Sequence, residues 1–315
     1  QRCLCSVDPH NRTAVVEFLL RGLSDDPQVQ PLLFCLFLTM YLVTIMGNLF
    51  IILVISSDPH LHTPMYFFLS ALSMADIGFT STTVPKMIWD IHTQSKILSY
   101  AGCLVQLSLL YIFACLDSAV LAVMAYDRFV AICHPLHYPV IMNPRLCKLL
   151  LLASVFISIF DSQVHCLMIS LLTFCAQVEI PHFFCDPPQL LRLACGDTST
   201  YSLLMYLFGS IFGGVPVSGI LYSYTRIASS VSRVSSTGGK YKAFSTCGSH
   251  LAVVCLYYGT GVGVYLSSAV SHSTRNDALI SVVYSVVVPM LNPFIYSLRN
   301  KDLQKAFQKF LSRTT

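Results

Sequence analysis

The sequence predicts an all-α membrane protein, a seven-transmembrane helix bundle with a short amphipathic helix at its C-terminal end. Three observations predict it: a composition too apolar for a watery surface, apolar runs of spanning length, and an uneven distribution of Lys and Arg among the loops. Of 315 residues, 55% are hydrophobic and 11% charged, against about 25% charged in a soluble domain. The mean hydropathy is +0.66. A run of about 20 apolar residues crosses the bilayer hydrocarbon. Such runs cover 31–55, 64–89, 101–126, 147–168, 201–225, 244–267 and 278–298.

The first run, Pro31 to Ile55, contains no charged residue. Residues 1–30 carry several charges and no apolar core, so that run is expected to act as the insertion signal. An odd number of spans puts the termini on opposite faces. With the C-terminus inside, the inside segments hold twelve Lys and Arg and the outside segments seven, although the first inside loop, 56–63, holds neither. The positive-inside rule favours this direction. Residues 1–30 are then an extracellular segment, 31–298 the helix bundle and 299–315 a cytoplasmic tail, all in one domain at the plasma membrane. Asn11-Arg12-Thr13 is a glycosylation sequon in the segment before the first span, which agrees with an outside N-terminus. In the tail, Leu303, Ala306, Phe307, Phe310 and Leu311 recur at helical spacing, with Lys301, Lys305 and Lys309 elsewhere. That pattern lies on the lipid of the inner leaflet.

The cysteines segregate. Cys175, Cys185 and Cys195 crowd the segment between spans four and five, and Cys103 opens span three. Four cysteines at one face of an oxidising compartment read as two disulfides, and spacing leaves the pairing open. The alternative is apolar-like thiols, as expected for Cys35, Cys115, Cys133, Cys166 and Cys255.

Ionisable groups inside a bilayer are costly and mark function. Asp76 and Asp117 sit mid-span in the second and third runs. Two facing carboxylates raise one another's pKa unless a cation or proton lies between them, and a sodium ion or shared proton is the expected filler. The competing role is packing, through Asn48, Ser73 or Asn292. Asp127-Arg128 closes span three, as a snorkelling pair or with the Arg turned into the bundle. Asp161 and His165 are placed to line a cavity near the outer half of span four. Pro289 and Pro293 flank Asn292 in span seven and predict a hinge there; Pro216 does the same in span five. The Lys and Arg residues form no dense patch, so nucleic-acid binding is excluded.

The ordered motifs resemble those of a vertebrate olfactory (odorant) receptor of the rhodopsin-like G-protein-coupled class, over nearly the whole chain. The carriers are Gly47-Asn48, then Pro64-Met65-Tyr66-Phe67-Phe68-Leu69-Ser70 entering span two. Met124-Ala125-Tyr126-Asp127-Arg128-Phe129-Val130-Ala131-Ile132-Cys133 closes span three, and His134-Pro135-Leu136-His137-Tyr138 follows. Ser223-Tyr224 closes span five, and Lys242-Ala243-Phe244-Ser245-Thr246-Cys247 opens span six. Pro289-Met290-Leu291-Asn292-Pro293-Phe294-Ile295-Tyr296 closes span seven. Departures are small: Phe129 replaces the usual Tyr, Tyr257 the usual Phe, and Asp117 the usual Glu.

The resemblance implies disulfides Cys103–Cys185 and Cys175–Cys195. It implies an odorant pocket lined by Leu110, Tyr111, Ala114 and Cys115 from span three, Phe208 and Phe212 from span five, and Tyr258, Gly261, Val262 and Tyr265 from span six. This mostly apolar set suits small volatile organic molecules held by burial, at about 25 cal/mol per Å². Coupling to a heterotrimeric G protein with a Gs-like olfactory α subunit, raising cyclic AMP, is implied to run through Asp127, Arg128, Tyr224, Asn292, Pro293 and Tyr296. The site would be the cilia of olfactory sensory neurons. A channel or transporter is the first rival, but the sequence lacks the repeated halves that transporters often show. A copper-assisted sensor built on His182 and Cys185, helped by His165, is the second; the disulfide is the better use of Cys185. An enzyme is the weakest reading, because no nucleophile–base spacing or phosphate-binding glycine loop is present. No cofactor beyond the sodium ion is implied.

Overall fold

A computed structural model describes residues 17–24, 26–174, 178–233, 237–270 and 274–314. Its long helices are α1 (Gln30–Ser57), α2 (Pro64–Thr93), α3 (Tyr100–Cys133), α5 (Pro144–Ser170), α7 (Ser199–Ser232) and α8 (Thr237–Val270). Two short helices, α4 (Tyr138–Ile141) and α6 (Pro187–Leu193), lie in the connections. The last span is built from α9 (Thr274–Val282), a π-turn at Val283–Val287 and α10 (Val288–Arg299). The terminal helix α11 runs over Lys301–Thr314.

Helix ends follow local chemistry. Pro lies at the start of α1, α2 and α5, where its missing N–H costs nothing. Asn143 accepts from the Leu146 amide at 2.9 Å and Ser99 from the Gly102 amide at 3.0 Å, capping α5 and α3. Asp58, held extended before Pro59, stops α1. The π-turn immediately precedes Pro289, which cannot donate to the ladder, and the carbonyl of Pro289 accepts from Asn48 at 3.3 Å. The predicted break in span seven is therefore a widened turn stitched to α1. Helices α2 and α7 run through Pro85 and Pro216 without ending.

Six helices among the described residues are long and apolar enough to cross a membrane: α1, α2, α3, α5, α7 and Asp277–Leu298. Helix α8 covers the remaining expected run, with side chains described for 247–263. Met46 (68% exposed), Phe156 (70%) and Leu203 (69%) point away from the bundle, a surface suited to lipid rather than water. The interior holds polar side chains among the apolar ones, with Asn48, Thr80, Asp76, Asp117 and Ser158 nearly inaccessible. Helix α3 is central, packing on α2, α5, α7 and α8. Helix α11 folds back on α1, where Phe307 stacks on Phe50 at 4.7 Å and Leu303 is fully buried.

The all-α expectation needs one correction. At the opposite end from α11 lies a three-stranded sheet in the order β2-β1-β3, from β1 (Glu17–Leu20), β2 (Ile97–Ser99) and β3 (Val178–Ile180). Strand β1 is antiparallel to β2 and parallel to β3, with Phe18 opposite both Leu98 and Val178. Phe18 and Leu20 alternate inward onto Cys103, Leu107 and Ile180, while Glu17 and Leu19 face out. Strands of three and four residues carry too little period-2 pattern to show beside 30-residue helical runs.

Candidate functional site

Helix α3 links polar side chains at three levels. At the sheet end, the Cys103–Cys185 disulfide ties α3 to the 178–199 segment, with Cα atoms 5.6 Å apart. Gln106 reinforces the tie: its oxygen accepts from the Cys185 amide at 3.0 Å and its nitrogen donates to the Thr82 carbonyl at 3.1 Å. Cys195 lies beside Thr173, whose carbonyl accepts from its amide at 2.8 Å. Its expected partner Cys175 lies outside the described residues, as does Asn11.

The expected ligand-pocket residues are only partly gathered. Tyr111 stacks on His165 at 4.0 Å, and Phe208 meets the same imidazole edge-on at 6.2 Å while stacking on Phe212 at 5.9 Å. Tyr258 shares a hydrogen bond of 2.7 Å with Ser118. The Ala114 carbonyl accepts from Tyr257 at 2.6 Å, and Tyr284 donates to Tyr257 at 3.2 Å. Cys115 is buried on α3, and Leu110 packs against the cluster of Phe183, Phe184 and Val286. From Ser199 to Gly219 no side chain of α7 is buried, whereas Ile220, Ser223, Ile227 and Val231 are. The sheet-end half of α7 therefore leaves its side chains at least partly exposed beside these aromatic rings.

The expected lining residues Gly261 and Val262 lie on α8. Val262 is 54% exposed and is not enclosed by neighbouring helices. A Cβ on Gly261 would meet Tyr284 at 3.7 Å, so this glycine faces the π-turn of the last span. The side chain of Tyr265 lies outside the described residues.

Midway along α3, Asn292 donates from one nitrogen to both oxygens of Asp76, at 3.0 Å each. Asp117 is within electrostatic reach of Asp76, and its Oδ1 is buried with no hydrogen-bond partner among the described residues. Gly47 lets α1 approach α10 closely, since a Cβ there would lie 3.2 Å from Pro293.

At the α11 end, Asp127 is 1% exposed and accepts from the Tyr138 hydroxyl at 2.8 Å; the Arg128 Nε lies 3.8 Å from its other oxygen. Tyr224 bonds His250 Nδ1 at 2.6 Å, and His250 Nε2 lies 3.1 Å from the Leu121 carbonyl. Tyr296 is buried, with a hydroxyl lacking a partner among the described residues. Lys309 reaches Asp58 at 3.3 Å, and the Asp58 carboxyl is held low, at about 2, chiefly by its hydrogen bond from His60.

Sequence reasoning missed Tyr138, His250, Ser118 and Tyr257 as partners. His250 carried a signal, being an ionisable group inside an apolar run. The other three carry none, because a hydroxyl is ordinary in a span. The copper reading finds no support. The Cys185 sulfur is in the disulfide, and no three metal-binding side chains converge among the described residues. His182 is 1% exposed between Phe183 and Phe184, and burial pushes its imidazole down to about 3.

The family model described as olfactory receptor matches residues 34–314. Olfactory receptor 7E178 of Mus musculus is 62% identical over 99% of this chain and 94% of its own length. Olfactory receptor 7E24 of Homo sapiens is 62% identical over 99% of this chain and 92% of its own. Olfactory receptor 7D4 of Homo sapiens is 61% identical over 98% of each chain. With a spanning-helix surface, polar side chains in the interior and a match of this extent, the chain is a multi-pass membrane protein of the olfactory receptor family, a receptor and not an enzyme.

Proposed function

We propose that this receptor binds a small volatile odorant among α3, α5, α7 and α8 and activates a heterotrimeric G protein with a Gs-like olfactory α subunit, raising cyclic AMP. In this reading all seven runs cross the plasma membrane, α8 included. The N-terminus and the sheet lie outside, and α11 lies on the inner leaflet with Lys301, Lys305 and Lys309 toward the phosphates. The expected locale is the cilia of olfactory sensory neurons. The observation that carries the reading is the state of Asp127. A carboxylate 1% exposed, held by Tyr138 and lying beside Arg128, is a latch near one end of the helix that carries Ser118 midway and Tyr111 nearer the sheet. Ligand contact at Tyr258 would favour an outward swing of the α11-end of α8. Arg128 is then released, Tyr224 and Tyr296 rearrange around it, and the opened groove accepts a helix of the α subunit.

Asp76 and Asp117 are the residues that would hold a sodium ion or a shared proton. The orphaned Asp117 Oδ1 is the atom such a charge would satisfy; the ion would supply charge neutralisation between the two carboxylates.

The test is expression with a Gs-like α subunit, an odorant panel and a cyclic AMP readout. An odorant-evoked signal that vanishes when the α subunit is removed supports the proposal. An odorant-evoked current that persists without any G protein overturns it in favour of a channel.

A further inference from the structure

The face of α5 that packs on α3 is a stripe of polar side chains, and all but one are satisfied locally. Ser158 donates to the Ser154 carbonyl at 2.8 Å. Ser162 bonds the Ser108 hydroxyl at 2.8 Å and its carbonyl at 2.9 Å, and Cys166 reaches the Leu104 carbonyl at 3.6 Å. The exception is Asp161. It is 4% exposed, and its Oδ1 has no hydrogen-bond partner among the described residues. His165, one turn on and 3% exposed, places Nε2 at 3.4 Å from that oxygen, an ion-pair distance without hydrogen-bond alignment. A buried carboxylate oxygen left without a donor is unfavourable, and helix packing alone gives no reason to keep one.

The surroundings say where a donor would enter. The imidazole of His165 is bracketed by Tyr111 of α3, stacked at 4.0 Å and 15°, and by Phe208 of α7, edge-on at 6.2 Å and 70°. Phe208 belongs to the half of α7 that buries no side chain. The pair thus stands behind two aromatic rings, on the side where α7 leaves its side chains unburied.

We infer that Asp161 and His165 form the polar recognition point of the odorant site, and that the odorants it selects carry a hydroxyl group that donates to this pair. The inference rests on the proposed pocket among α3, α5 and α7. The class follows from charge. A carboxylate ligand would meet Asp161 as a like charge, and an ammonium ligand would have to shed the hydration of a full charge among apolar rings. A neutral O–H supplies the missing donor without a second ion to desolvate. The rings of Tyr111, Phe208 and Phe212 supply the apolar surface for the rest of the molecule.

The test uses straight-chain and cyclic alcohols, each beside its own methyl ether, which keeps the body and the acceptor oxygen and removes the donor. Full-length receptor is assayed by cyclic AMP at matched surface level. Alcohols should exceed their ethers in potency by roughly tenfold, the effect of about one well-made hydrogen bond. Asp161→Leu should bring each pair within about twofold by weakening the alcohol and leaving the ether. His165→Phe keeps the ring contacts with Tyr111 and Phe208 and should do the same, so the test survives if one variant fails to reach the surface. Equal potency of alcohol and ether in the unaltered receptor overturns the inference. So does an alcohol preference that persists in either variant, or a panel in which no alcohol activates. Tyr258→Ala separates the two levels: responses untouched by it remove the pocket itself, whereas responses it abolishes leave the pocket standing and isolate any failure in the Asp161–His165 pair.

Discussion

Replacing Tyr138 by Phe tests the latch at the α11 end. The ring of Tyr138 packs on the main core, and its hydroxyl is the donor to Asp127 at 2.8 Å. Arg128 lies 3.8 Å from the other carboxylate oxygen, beyond hydrogen-bond length. Among the described residues Tyr138 thus supplies the one short bond in this latch, and phenylalanine deletes it while keeping the ring. A hydrogen bond to a charged acceptor contributes about 1.5–3 kcal/mol. Taking about 2 kcal/mol, and tenfold for every 1.4 kcal/mol, the ratio of resting to active receptor should fall about thirtyfold. A receptor resting about 1,000 to 1 would then be about 3% active without odorant. The assay is cyclic AMP in odorant-free cells, divided by surface receptor counted by flow cytometry. Basal signal per receptor should rise steeply while the response at saturating odorant stays the same. A basal signal within twofold of the unaltered receptor would refute the role of this bond.

Three further outcomes are expected. Cys103→Ser opens a loop of 82 residues, which the chain-entropy treatment values at about 4–5 kcal/mol; surface delivery should be lost, and normal delivery with a normal response would exclude a structural role for the bridge. Gly78→Ala drives a methyl group into the ring of Phe113 on α3. It should cost about 1–3 kcal/mol, visible as a lower thermal midpoint in detergent, and an unchanged midpoint would show that the ring can step aside. Asp186, at the start of α6, has its carboxyl raised to about 7 from 3.8, chiefly by burial and further by Asp277. The folded state then prefers the neutral acid, so stability falls as pH rises from about 4 to about 7 and is level above. The thermal advantage of Asp186→Asn over the unaltered receptor should grow over that interval, and a gap constant with pH would refute the assignment.

The helices were legible because lipid imposes length. The first run, read as 31–55, is the helix Gln30–Ser57, and the third, read as 101–126, is Tyr100–Cys133. Helices outlast their apolar runs because backbone hydrogen bonding continues past the hydrocarbon edge until a cap or a proline stops it. Asp76, Asp117 and Asp161 were legible as unusual because a carboxylate in a span has no routine explanation. For Asp76 the sequence offered Asn48, Ser73 and Asn292 as partners and could not choose among them: the bond that forms, from Asn292, joins residues 216 apart, and nothing local singles it out. The exposure of Val262 was not legible either, because a residue four positions from Tyr258 shares its helical face but not its neighbours. The sheet escaped notice because its three strands specify one another only across distant segments.

That sheet also orders events in the making of the chain. Phe18 pairs with Leu98 and with Val178, 80 and 160 residues further along. At roughly 5–20 residues per second of synthesis, β1 waits on the order of ten to thirty seconds before its parallel neighbour exists. During that wait it is an unpaired strand edge with Phe18, Leu19 and Leu20 uncovered, the kind of segment that pairs with wrong partners. Cys103 likewise waits for Cys185, five residues beyond the end of β3 at Ile180. Strand pairing and thiol oxidation therefore fall due together, late in translation. A nascent chain that stalls between residues 100 and 180 carries its open edge and its unpaired thiol at the same time, which makes that interval the stretch where a chaperone has most to do.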